Sequence, residues 1–197
     1  MPVFRHNKRF ALNNCARVRE EDNALAQLIV LFDATFFDEF NTRLIRGDDE
    51  PVYLPAGTQT SYHQIIFAHG FFSSALHEIA HWCVAGQKRR LLEDYGYWYC
   101  PDGRNEAEQK KFEQVEVKPQ AIEWAFTIAA GRQFSVSTDN LDGAEPDREG
   151  FTRAVKEQLN TYIDEGFPPR AQRFIAALSA AFKTAPLSRS SLTGEAA

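Results

Sequence analysis

From Glu20 the chain takes on a helical rhythm. Leu25, Leu28, Ile29, Phe32, Phe36 and Phe40 recur mostly at spacings of three and four and lay one wide apolar face along a core helix. Residues 41–63 break that rhythm with the turn chemistry of Gly47-Asp48-Asp49-Glu50-Pro51 and Pro55-Ala56-Gly57 around a short strand, Val52-Tyr53-Leu54. Gln64 to Ala68 is β-branched and aromatic, which predicts a buried strand ending at His69-Gly70. A helix should follow from Ser73 or Ser74, either of which can cap it, to Ala85. Gly86 is placed to end it, and Lys88, Arg89 and Arg90 suit its negative end.

Tyr95 to Cys100 alternates aromatics in strand fashion and stops at the turn Pro101-Asp102-Gly103. Glu106 to Ala130 reads as helical, with Pro119 predicting a kink or two helices that meet near Lys118, and Gly131 as the end. Beyond the polar loop Asp139 to Pro146, Phe151, Ala154, Val155, Leu159, Tyr162 and Ile163 mark a helix over 147–165. Gly166 and Pro168-Pro169 separate it from a last one striped by Phe174, Ile175, Leu178 and Phe182. The pattern therefore predicts one compact α+β domain over 21–183, helix-rich with a small sheet. A basic flexible arm (1–20) precedes it and a mobile polar tail (184–197) follows.

The composition is that of a packed protein: 197 residues, 44% hydrophobic, with sixteen Phe, six Tyr and three Trp that need burial or a pocket to line. A net charge of −5 argues against a broad basic face for nucleic acid. Cys15, Cys83 and Cys100 are odd in number and lack Cys-x-x-Cys pairing, so neither a disulfide framework nor a cysteine zinc site is expected, and a reducing compartment fits. The most apolar stretch, 65–86, carries His69, His77, Glu78 and His81, which a membrane interior would not tolerate.

His77-Glu78-Ile79-Ala80-His81 is the chemically informative segment. Four residues make slightly more than one helical turn, so both imidazoles point to one side, about 6 Å apart along the axis. Two nitrogens can then reach one divalent cation, while Glu78, rotated about 100° from His77, can face a metal-bound water. A third ligand is required, and a carboxylate is the expected type. Glu113, Glu116, Gln120 and Glu123 form a polar stripe along a later helix. Glu116 is favoured because Val115 and Val117 flank it, where a charge needs a metal or a partner, although Glu113 and Glu123 are equally placed by spacing. Gln120 is a candidate to steady a ligand from behind, and His69 is a candidate for the same role or for a fourth ligand.

A His, His, carboxylate set supports two chemistries. With zinc, Glu78 takes a proton from a bound water and the protein is a hydrolase, a peptidase or a nuclease; spacing alone prefers this reading. With Fe(II), the same ligands on one octahedral face allow oxygen-dependent C–H hydroxylation. A third reading is a binding module whose metal only staples the fold.

The neighbouring segments bear on that choice. Phe40-Asn41-Thr42-Arg43-Leu44-Ile45 with Gly47-Asp48-Asp49-Glu50-Pro51, Phe67-Ala68-His69-Gly70-Phe71, and Ala75-Leu76-His77-Glu78-Ile79-Ala80-His81-Trp82-Cys83 come first. Gly96-Tyr97-Trp98-Tyr99-Cys100-Pro101-Asp102-Gly103-Arg104 and Val115-Glu116-Val117-Lys118-Pro119-Gln120-Ala121 follow. Over about residues 21–183 the chain resembles the elongation factor P hydroxylases, bacterial enzymes that hydroxylate the β-lysylated lysine of translation elongation factor P. The resemblance implies a cytoplasmic, oxygen-dependent non-haem iron enzyme with dioxygen as co-substrate and a fold similar to zincin-like or YbeY-like metal hydrolases. It also implies a two-histidine, one-carboxylate triad at His77, His81 and Glu116. The substrate's long cationic side chain would need an acidic and aromatic approach, which Asp48, Asp49, Glu50, Tyr97, Trp98 and Tyr99 can supply.

Overall fold

The apolar stripe is the buried seam of the first helix, α1 (Arg5–Phe40), with Leu25, Leu28, Phe32 and Phe36 almost wholly excluded from solvent. The computed structural model describes residues 5–95, 103–140 and 142–192, and side chains from residue 18 onward. Residues 5–19, set apart in the sequence by their basic charge, form the opening turns of α1.

A left-handed Asn41 (φ 48°) turns the chain out of α1 into a three-stranded sheet, β1 (Thr42–Arg46), β2 (Val52–Leu54) and β3 (His63–Phe67), in the order β1-β3-β2. β3 is central, parallel to β1 and antiparallel to β2, with Leu44 opposite Ile65 and Tyr53 opposite the same residue on the other side. β1 lies where the sequence predicts only turns, because its two arginines hide a strand in which Thr42 and Leu44 alternate inward. Asp33 of α1 fixes that strand by accepting from the Arg43 guanidinium at 2.6 Å and the Leu44 N–H at 3.2 Å. Outside β2, Tyr53 and Asp94 exchange two backbone hydrogen bonds. The strand expected over 95–100 falls, from residue 96, outside the described residues, as do Tyr97, Trp98 and Tyr99.

After β3 two consecutive left-handed residues, His69 (φ 56°) and Gly70 (φ 66°), reverse the chain into α2 (Phe72–Val84). Gly70 suits this turn because a side chain at its positive φ would be strained, and a Cβ there would also push the exposed Arg46 guanidinium aside. The expected serine cap is absent. The N-cap is Phe71, without a side-chain hydrogen bond, because burying Phe72 draws the helix start upstream and leaves Ser73 and Ser74 in the first turn. At the other end the helix stops at Val84, and Arg170 reaches across to donate to the carbonyls of Cys83 (3.1 Å) and Ala85 (2.6 Å).

α3 (Glu106–Ala129) runs as one helix through Pro119, where two helices were an alternative expectation. An Asn105/Glu108 capping box starts it. Buried Phe112, Ala121, Ile122, Ala125 and Phe126 on both sides of the proline hold its two halves in the core, which offsets the hydrogen bond that proline cannot donate. α4 (Arg148–Glu165), capped by Asp147, packs on α3; α5 (Pro169–Phe182) packs on α3 and α1. Past α5, Thr184 donates to the Ala129 carbonyl and Leu192 is buried in the core, so the described part of the expected tail lies against the domain.

The result is a helix-rich α+β domain in which α2 is central, touching β3, α1, α3 and α5. Trp82 anchors its apolar side, with its ring centroid 4.9 Å from Phe36 and 5.4 Å from Phe32 and Phe40, while Phe174 joins the same cluster. Locking that side fixes the direction of the opposite one, which carries the histidines. Trp82→Ala should cost about 3–5 kcal/mol of folding stability, read by urea unfolding. A loss below about 1 kcal/mol would show that the cluster does not hold α2.

Candidate metal centre

One helical turn separates His77 from His81 on α2, and their Nε2 atoms lie 3.0 Å apart. Glu116 of α3 faces both, with Oε1 3.1 Å from His81 Nε2 and Oε2 3.7 Å from His77 Nε2. Glu116 is only 2% exposed. A carboxylate buried to that degree needs compensating charge or donors, and the imidazoles supply them. Among the described residues this is the group whose ligand atoms all lie within 4.8 Å of one another, as a shared cation requires.

The triangle fits a metal on chemical grounds. Ligand atoms about 2.1 Å from one ion sit about 3.0 Å apart at right angles and about 3.4 Å apart at tetrahedral angles. The Nε2–Nε2 separation of 3.0 Å and the 3.1 Å from Glu116 Oε1 to His81 Nε2 fall in that range, and the 3.7 Å from Oε2 to His77 Nε2 lies a little beyond it. The donor set, two imidazoles and a carboxylate, suits zinc and non-haem iron alike.

The residues behind the triangle are as ordered as the triangle itself. Glu123, one of the alternative ligands in the sequence, instead meets the other side of His77, with Oε2 2.8 Å from Nδ1. Gln120 donates to Glu116 Oε2 at 3.3 Å and is held by two hydrogen bonds to the backbone of Ser137. Glu113 accepts from Gln109 one turn earlier on α3. No sequence signal points to Ser137, since its contribution is main-chain. His69 goes elsewhere: its ring packs beside Phe71 and lines, with Glu123, a cavity of about 790 Å³. Gln120, not His69, is the residue the fold places on a triad carboxylate.

Glu78 is half-buried and shares with His81, Trp82 and Tyr53 a small cavity of about 40 Å³, enough for molecules the size of water. Asp48, Asp49 and Glu50 form an exposed turn between β1 and β2. The Asp48 carbonyl accepts from the His69 N–H at 2.7 Å, which ties that turn to the rim of the larger cavity. The cavity also carries Glu21, Asp22 and the exposed ring of Phe71.

Electrostatics follow the geometry. Burial alone would lower the His77 pKa, but the Glu123 hydrogen bond and charge, with Glu116 and Glu78 nearby, hold it well above the usual imidazole value. Burial would raise Glu116; the charge and hydrogen bond of His81, the charge of His77 and the Gln120 amide bring it down to about 2. Burial raises Glu78 above the ordinary carboxyl range, helped by Glu116 and Glu123 and opposed by the two histidines.

Comparison with known proteins gives a consistent pattern. Residues 31–192 match a family described as elongation factor P hydroxylase. A protein of Haemophilus influenzae named elongation factor P lysine hydroxylase is 52% identical over 163 residues, covering 83% of this chain and 92% of that protein.

A metal needs the His77 Nε2 lone pair, so its binding must displace the tightly held proton. Metal uptake should therefore release protons, and apparent affinity should weaken as the pH falls. Calorimetry in buffers of different ionisation enthalpy reads this; identical heats would contradict it. In the metal-free protein, the raised His77 pKa stabilises the fold fully below about pH 6.5, and that contribution is lost as the pH rises through the folded value. The lowered Glu116 pKa stabilises it above about pH 4.3, and that contribution is lost as the pH falls toward 2.

Proposed function

Because the chain belongs to the elongation factor P hydroxylase family, we propose that it hydroxylates the β-lysylated lysine of elongation factor P, using dioxygen and one iron(II) ion held by His77, His81 and Glu116. The observation that carries this reading is the convergence of those three donors from α2 and α3. Iron(II) bound there would supply dioxygen activation for placing one oxygen atom in a C–H bond, the other leaving as water with electrons from an external reductant.

The chain's own residues bind, orient and shield. His77, His81 and Glu116 would hold the ion through two imidazole nitrogens and a carboxylate, a donor set that suits iron(II). The buried aromatic cluster beneath α2 fixes the direction of both imidazoles, which is the positional accuracy a C–H reaction demands. A cationic side chain is met by acidic groups, Asp48, Asp49 and Glu50 on the turn and Glu21 and Asp22 on the cavity wall, with Tyr97, Trp98 and Tyr99 as aromatic partners. In this reading Glu78 tunes the field beside His81 and its replacement leaves part of the turnover. With a net charge of −5 and no helix among the described residues long and apolar enough to cross a membrane, a cytoplasmic protein substrate suits the chain better than nucleic acid or lipid.

One observation favours a second reading. Glu78, with a raised pKa and in the same small cavity as His81, is placed as the general base of a zinc hydrolase would be.

Incubation of the iron-loaded protein with β-lysylated elongation factor P, a reductant and air should add the mass of one oxygen atom to the substrate, and nothing under anaerobic conditions. Cleaved substrate, or zinc-dependent activity that ignores oxygen, would establish the hydrolase instead. His77→Ala, His81→Ala and Glu116→Ala should each lower hydroxylation by at least about a hundredfold through loss of metal. Glu78→Gln should retain measurable hydroxylation; complete loss with metal still bound would assign Glu78 an obligatory proton transfer.

A further inference from the structure

We propose that Glu123 and Gln120 are positioning residues of the metal centre, Glu123 fixing the tautomer and ring direction of His77 and Gln120 fixing the carboxylate plane of Glu116. This rests on the reading of His77, His81 and Glu116 as metal ligands. It concerns how their donor atoms come to converge.

An imidazole has two nitrogens and, when neutral, one proton. Glu123 Oε2 stands 2.8 Å from His77 Nδ1, and a carboxylate there requires the proton on Nδ1. The lone pair of Nε2 is then directed at the point that His81 and Glu116 also face. Without Glu123 either nitrogen could carry the proton, and the ring could turn.

Gln120 does for the carboxylate what Glu123 does for the imidazole. Its amide orientation is set from behind, because the Ser137 N–H donates to Oε1 at 3.0 Å and the Ser137 carbonyl accepts from Nε2 at 2.8 Å. The second N–H of that amide then points at Glu116 Oε2, 3.3 Å away. That contact sets the plane of the carboxylate, with Oε1 turned to His81 Nε2 at 3.1 Å and Oε2 to His77 Nε2 at 3.7 Å.

Both residues are buried, at 0% for Gln120 and 8% for Glu123, and hydrogen bonds to the Ser137 backbone and to His77 hold them in place. They occupy the same face of α3 as Glu116, at i, i+4 and i+7. One helix therefore delivers the ligand Glu116, its support Gln120 and the support Glu123 for His77, and the docking of α2 against it completes the centre.

Cobalt(II) is the probe, because its visible spectrum reports ligand geometry without turnover. Wild-type protein, Glu123→Gln, Glu123→Asp, Gln120→Leu and Glu113→Gln are titrated with cobalt(II), with the fold of each checked by circular dichroism. Glu123→Gln should weaken binding about 10–100-fold and alter the spectrum of the bound ion, and Glu123→Asp should fall between it and wild type. Gln120→Leu should weaken binding about tenfold. Glu113→Gln, on the same helix but outside the support, should bind as wild type does.

Unchanged affinity and spectrum in Glu123→Gln and Gln120→Leu would overturn the inference while leaving the triad intact. If Glu123→Gln does not fold, Glu123→Asp carries the decision, and wild-type affinity in that variant overturns it. Failure of the wild-type protein to bind cobalt(II) at one equivalent would instead remove the metal centre on which the inference stands.

Discussion

The structure turns on a carboxylate buried where water cannot solvate it. Glu116 sits inside the interface between α2 and α3, and an ionised group there is tolerable only if positive charge or donors surround it on every open side. His77 and His81 meet it from α2 and Gln120 from its own helix. The arrangement is one of mutual need. Among the described residues no other acid is placed to share an ion with the histidines, and Glu116 is only 2% exposed. A cation at their common point satisfies all three at once, which is why the cluster reads as a metal centre and not as an incidental polar core.

That constraint explains the rest of the architecture. α2 must present two imidazoles in a fixed direction, so its opposite face is filled with rigid apolar groups: Trp82 among the phenylalanines of α1 and α5, with Ile79, Ala75 and Leu76 beneath. The central strand β3 feeds that helix through two left-handed residues, and Arg170 holds its far end by the last carbonyls. α3 carries Glu116, Gln120 and Glu123 on one face. It continues as a single helix through Pro119, where buried side chains on both flanks pin it. The two cavities then divide the surroundings: a small one beside His81 and Glu78, and a large one reaching Glu123 and bordered by acids.

Much of this was legible in the chain, for identifiable reasons. The α1 stripe, β2, β3 and the helices over 148–165 and 169–182 follow from periodicity and punctuation, signals that tertiary contacts reinforce. The His77/His81 pair is readable because a four-residue spacing has a single geometric meaning on a helix. Glu116 stood out from Glu113 and Glu123 by its valine neighbours, and the structure brings it, not them, into the ligand triangle. What was not legible depends on the third dimension. β1 is a strand because Asp33 and β3 hold it, although its arginines argue otherwise. The start of α2 is set by the burial of Phe72, not by a serine cap. Glu123 looked like a competing ligand because spacing gives a face but not a distance, and only packing shows that it meets the back of His77. The link from Ser137 to Gln120 is made by main-chain atoms, which no side-chain pattern encodes.

The central claim is that one divalent ion is shared by His77, His81 and Glu116. Anomalous diffraction at the iron edge, from crystals equilibrated anaerobically with iron(II), tests it most directly. The account predicts a single strong peak within bonding distance of Nε2 of both histidines and of a Glu116 oxygen. A peak bonded to Glu123, a peak elsewhere on the chain, or no peak at that triangle would contradict it.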